Sequence, residues 1–139
     1  MKVAAVLLII LALLIAIVPI FSDCQSAGRM LTLADGREIP MKCHWTGRAE
    51  LGLGLPLLAV GLTMLFSRRK ESLRNLGIVG ITLGIVTILL PTVLIGVCGS
   101  PDMPCHSIMS PALVLMGIVV AGISLAVAIV NWRPEQETA

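Results

Sequence analysis

The fold is decided by residues 76–97, LGIVGITLGIVTILLPTVLIGV, a run without a single charged side chain. A helix crosses the hydrocarbon of a bilayer with about 20 apolar residues, because it satisfies its own backbone hydrogen bonds where no water is available. Three more runs of this kind lie outward from it. Residues 3–21 carry no charge, and residues 51–66 are short and Gly-rich with Pro56 inside. Residues 111–130 are followed by Asn131 and Trp132, where an interfacial pair belongs. The second run is at the short end of the spanning range and crosses through local thinning or tilt.

Composition agrees. The 139 residues make one domain, 57% hydrophobic and 13% charged, with a mean hydropathy of +1.00. Soluble domains carry about 25% charged residues. Two Trp, two Phe and no Tyr, with a net charge of +2, give no basic-aromatic surface for nucleic acid. The first run could be read as a signal peptide, but it is longer than the usual apolar core and IFSDC lacks a small-residue cleavage pattern. Lipidation at Cys24 is disfavoured by the Asp23 before it. The expectation is four retained spans.

Basic residues set the orientation. The short connection SRRKESLRN, residues 67–75, holds Arg68, Arg69, Lys70 and Arg74, and Lys2 and Arg133 flank the bundle on the same side. The longer connection 22–50 spreads its basic residues among Asp23, Asp35, Glu38 and Glu50. The density of Lys and Arg predicts both termini and the middle loop in the cytoplasm. Loops 22–50 and 98–110, with all four cysteines, then lie outside, where disulfides persist.

Within the first outer loop, MLTLADGREIPM predicts a β-hairpin turning at Asp35-Gly36. A loop of about three or five residues, opposing Leu33 with Ile39 and Leu31 with Met41, gathers these four on one face, expected to pack on the bundle top. A membrane or partner contact is the alternative for that face. Pro40 restricts the second strand to an edge.

Both histidines follow a cysteine that is itself two residues after a methionine: Met41-Lys42-Cys43-His44 and Met103-Pro104-Cys105-His106. Each copy lies after a span that ends near a proline, Pro19 or Pro91, and after a first cysteine, Cys24 or Cys98. A duplicated helical hairpin, as a parallel repeat, explains the echo. Three chemical readings follow. Structural disulfides are favoured, with local pairs Cys24–Cys43 and Cys98–Cys105, each contributing about 2–4 kcal/mol. The second reading is a soft metal held from both loops: copper as Cu(I) by Met41, Cys43, His44, Met103, Cys105 and His106, or zinc by the cysteines and histidines without the methionines. The third is thiol–disulfide exchange. The plan is similar to that of quinone-linked disulfide-generating membrane proteins, but the Cys-x-x-Cys of those enzymes is absent.

No titratable side chain lies inside the four apolar runs, which argues against an ion-coupled transporter acting alone. No Walker, His-Glu-x-x-His or Gly-x-Ser-x-Gly motif occurs, so no catalytic residue is expected. Gly77, Gly80 and Gly84, with Gly117, Ala121, Gly122 and Ala126, form small-residue faces for close helix packing. They serve the bundle itself and leave some face for a partner.

The pattern Cys24…Pro-Met-x-Cys-His…Cys98…Met-Pro-Cys over four spans resembles a family of small prokaryotic membrane proteins of unknown function, along nearly the whole chain. Members accompany ABC-type permeases of the macrolide-export or lipoprotein-release kind, so the resemblance implies an accessory role and no catalytic residue. The expectation is therefore an all-α four-helix membrane protein with a disulfide-braced outer β-hairpin cap. It sits in a prokaryotic plasma membrane as a non-enzymatic subunit of a larger assembly, its partners the lipid and another integral membrane protein.

Overall fold

The computed structural model describes residues 1–22, 28 and 30–132; Asp23, Cys24 and Arg133 lie outside the described residues. Helix α1 spans Lys2–Ser22, strands β1 and β2 are Leu31–Thr32 and Glu38–Ile39, and α2 spans Lys42–Phe66. Helix α3, Lys70–Leu89, runs on into a π-helical turn at Leu90–Leu94. A second π-helical turn, Cys105–Met109, leads into α4, Ser110–Val130. Among the described residues, four helices are long and apolar enough to cross a membrane, and the architecture is the expected all-α bundle with a small hairpin.

Each helix buries one narrow stripe. On α1 it is Ala5, Leu8, Ala12, Ile15 and Pro19; on α3 it is Leu73, Gly77, Gly80, Gly84 and Thr87. Steps alternating between three and four residues keep the stripe along one seam, as in left-handed bundles. Many other apolar side chains, Val3, Phe21, Leu55 and Phe66 among them, are exposed. That is a stable arrangement only where the surroundings are lipid.

The helices form two closely packed pairs. In α1–α2, Gly54 comes so near that an added Cβ would lie 3.0 Å from the Ala16 Cβ and 3.2 Å from the Ala12 carbonyl. In α3–α4 the expected glycines mesh: a Cβ on Gly84 would lie 2.9 Å from the Ala121 nitrogen and 3.0 Å from the Gly117 carbonyl. Gly77 and Gly80 meet Ser124. Gly122 departs from the expected face, since nothing stands within 4 Å of its Cβ position, and Ala126 is exposed. The heptad Gly47, Gly54, Gly61, which seats α2 on α1, carries the same kind of packing and was not among the expected small-residue faces.

Two boundaries differ from the sequence reading. Helix α2 begins at Lys42 rather than at residue 51, so it takes in Cys43, His44, Arg48 and Glu50. The hairpin forms, with Leu31 opposite Ile39 and Thr32 opposite Glu38, instead of Leu33 opposite Ile39 and Leu31 opposite Met41. The turn is tighter because the Gly36 N–H donates to the Leu33 carbonyl and the Leu33 N–H to the Arg37 carbonyl, both at 2.9 Å. Gly36 supplies the left-handed residue, φ +78°, that such a three-residue connection needs. Leu31, Leu33 and Ile39 still share a face, but all three are exposed rather than packed on the bundle.

The third span ends sharply. Gly96 takes φ +79°, and the N–H groups of Ile95 and Gly96 both donate to the Leu90 carbonyl at 3.1 Å. This turns the chain back towards α2. At the far end of the bundle Lys2, Met64, Phe66 and Arg68 share one surface hollow, and the Arg74 guanidinium lies 5.6 Å from the Trp132 ring centre. The N-terminus, the α2–α3 connection and the end of α4 therefore share one end.

Candidate sulfur centre

The opposite end gathers sulfur. Cys43 lies in the first turn of α2, Cys98 in the segment after Gly96, and Cys105 at the start of the second π-helical turn. Their three Sγ atoms all lie within 4.8 Å of one another. The Cys98 thiol stands 3.7 Å from the Cys43 Sγ and 3.8 Å from the Met41 thioether. Cys43 and Cys105 are fully buried and Cys98 half-buried, with Met103 and Met109 in the same apolar cluster.

The repeated Met-x-Cys-His has a local structural cause. The His44 N–H donates to the Met41 carbonyl and the His106 N–H to the Met103 carbonyl, both at 3.0 Å. In each copy the methionine carbonyl thus closes the first helical turn through the histidine backbone. The cysteine between them is carried into that turn, and there it faces the bundle. Thr46, one turn further along α2, donates its hydroxyl to the Gly96 carbonyl at 2.8 Å and so holds the Cys98 segment against α2.

The sulfur group differs in membership from the six residues of the alternative metal reading. Cys98 joins Met41, Cys43 and Cys105, while neither histidine belongs to the group. His44 is half-buried beside Trp45, ring centres 6.0 Å apart and nearly perpendicular, and borders a groove with Pro19, Ile20 and Arg48. His106 is exposed. The expected pair Cys24–Cys43 cannot be placed, because Cys24 lies outside the described residues. Among the described residues no cysteine pair stands at bonding distance: 3.7 Å between Cys43 and Cys98 compares with about 2.05 Å in a disulfide.

Sequence reasoning missed one buried group. Glu50 is fully buried on α2, and neither carboxyl oxygen has a hydrogen-bond partner among the described residues. A signal was available: Cys43, Thr46 and Glu50 follow each other by three and four residues, the spacing of one helix face. Placing residues 22–50 in a loop hid it.

Four apolar helices with a buried thiol and thioether group at one end define a multi-pass membrane protein with a sulfur centre. The chain belongs to the family of the domain of unknown function DUF4418, whose model matches residues 4–130. No curated protein and no solved structure matches it.

Proposed function

We propose that this protein is a soft-metal-handling membrane protein, with Met41, Cys43, Cys98 and Cys105 as donors for Cu(I). The observation that carries the reading is the 3.7 Å separation of the Cys43 and Cys98 sulfurs, with the Met41 thioether at 3.8 Å from Cys98. A tetrahedral metal–sulfur bond of about 2.3 Å spans an edge of about 3.8 Å between sulfurs. The donors are thus spaced as a thiolate site requires, and a mixed thiolate–thioether set selects Cu(I). The density of basic residues at the opposite end supports an extracytoplasmic centre, with both termini in the cytoplasm of a prokaryotic cell.

The test is Cu(I) titration of the reduced protein in mild detergent against a chromogenic chelator. One Cu(I) per chain is expected, lost in Cys43→Ser and Cys98→Ser and kept in His44→Ala and His106→Ala. Because coordinated thiols bind as thiolates, apparent affinity rises with pH. Failure to retain Cu(I) overturns the proposal. So does the absence of alkylatable thiols in protein purified without reductant, which would favour the structural disulfides instead.

The accessory-subunit reading has one observation in its favour. Gly122 has open space around it, and Ala126 lines an outward apolar groove with Val3, Leu7 and Val130, leaving a small-residue face uncovered by the described residues. Stoichiometric co-purification of another membrane protein such as an ABC-type permease, abolished by Gly122→Leu, is the outcome that reading requires. Retention of the partner in that variant would remove this support.

A further inference from the structure

We propose that Glu50 is a proton-binding site inside the bundle, a carboxylic acid that exchanges its proton beneath the sulfur centre. The side chain is fully buried and both carboxyl oxygens lack a partner. Glu50 lies seven residues after Cys43 on the same buried stripe, about 10 Å along the helix axis. Thr46 stands between them with its hydroxyl already committed to the Gly96 carbonyl.

Among the described residues, its surroundings hold no counter-charge. Helix α2 packs on α1, α3 and the π-helical turn 90–94. The only titratable side chain of α1 is Lys2, at the far end of the bundle. Those of α3 are Lys70, Glu71 and Arg74, also at that end, and residues 90–94 carry none. On α2 itself, His44 is half-buried, Lys42 and Arg48 are exposed, and Cys43 belongs to the sulfur group. Across the bundle Cys105 and His106 lie on the second π-helical turn, the former in the sulfur group and the latter exposed. No lysine, arginine or histidine is buried among the described residues.

An ionised carboxylate in such a place is prohibitively costly, whereas the neutral acid is a tolerable occupant. A buried polar group left without a partner calls for a specific occupant, and here the proton is the one that requires no further donor from the protein. The site needs no metal and stands apart from the copper reading.

The experiment is infrared spectroscopy of the metal-free, full-length protein in lipid at neutral pH. A carboxylic-acid carbonyl band that is present in the native protein, shifts in deuterium oxide and vanishes in Glu50→Gln supports the proposal. Absence of the band, with carboxylate stretches accounting for every glutamate, overturns it. If Glu50→Gln does not fold, the native protein decides by reaction with dicyclohexylcarbodiimide, which adds to protonated carboxyl groups in apolar surroundings. An adduct mapped to Glu50, formed more slowly as pH rises, supports the site. Adducts confined to Glu38 or Glu71, or none, refute it.

Discussion

Replacing Gly84 by alanine should weaken the bundle, and the structure sets the size of the effect. The new methyl would lie 2.9 Å from the Ala121 nitrogen, 3.0 Å from the Gly117 carbonyl and 3.1 Å from the Ala121 Cβ. Two of these neighbours are backbone atoms, which no rotamer change moves away. Ordinary contact lies several tenths of an ångström further out, so α3 and α4 must separate along the seam that Gly77 and Gly80 also occupy. Overpacking of this kind costs about 1–3 kcal/mol. The helical preference of alanine over glycine returns up to about 1 kcal/mol. The net expectation is a loss of about 1–2 kcal/mol, roughly a tenfold shift in the unfolding equilibrium. Gly122→Ala is the matched control on the partner helix, because its methyl meets nothing within 4 Å. It should leave stability unchanged or raise it slightly. Steric-trapping or detergent-unfolding measurements on both variants in lipid bicelles give the comparison. If Gly84→Ala proves as stable as Gly122→Ala, the close α3–α4 seam is refuted.

Further outcomes follow from single contacts. Thr46→Val removes the hydroxyl that holds Gly96 at 2.8 Å, leaving a carbonyl without its donor. It should cost about 1–3 kcal/mol and speed hydrogen exchange at Val97 and Cys98. Gly96→Ala forces a Cβ into φ +79° where there is otherwise open space, so strain alone acts, at about 1–2 kcal/mol. A lower unfolding temperature is the readout, and an unchanged one contradicts the sharp turn. Arg74→Ala removes the cation from the Trp132 face, which lies 5.6 Å away. The emission of Trp132, followed in a Trp45→Phe background, should shift, with a stability loss of no more than about 1 kcal/mol.

The four spans were legible because lipid imposes length and apolarity on every crossing segment, and both are properties of the chain alone. The small-residue spacing of Gly80 and Gly84, one turn apart, was legible as a packing face, whereas its docking on α4 is seen only in the structure. The start of α2 was harder to read. Lys42, His44, Arg48 and Glu50 look like loop residues by polarity, yet all four lie on a helix, with Lys42 and Arg48 exposed, His44 half-buried and Glu50 buried. The uncovered hairpin face was likewise unreadable, since Leu31, Leu33 and Ile39 fit a packed face equally well.

The sequence by itself determined that this chain has four segments able to cross a membrane, that its short middle connection is dense in basic residues, and that its cysteines fall in two separate connections. These are matters of local composition and of order along the chain. Only the tertiary structure decided that Cys43, Cys98 and Cys105 meet, with Met41 beside Cys98 and neither histidine in the group, and that Glu50 is buried in the bundle with no hydrogen-bond partner among the described residues. Residues far apart in the chain are brought together by how helix pairs dock, and docking depends on the mutual fit of several surfaces at once. No single stretch of sequence carries that information.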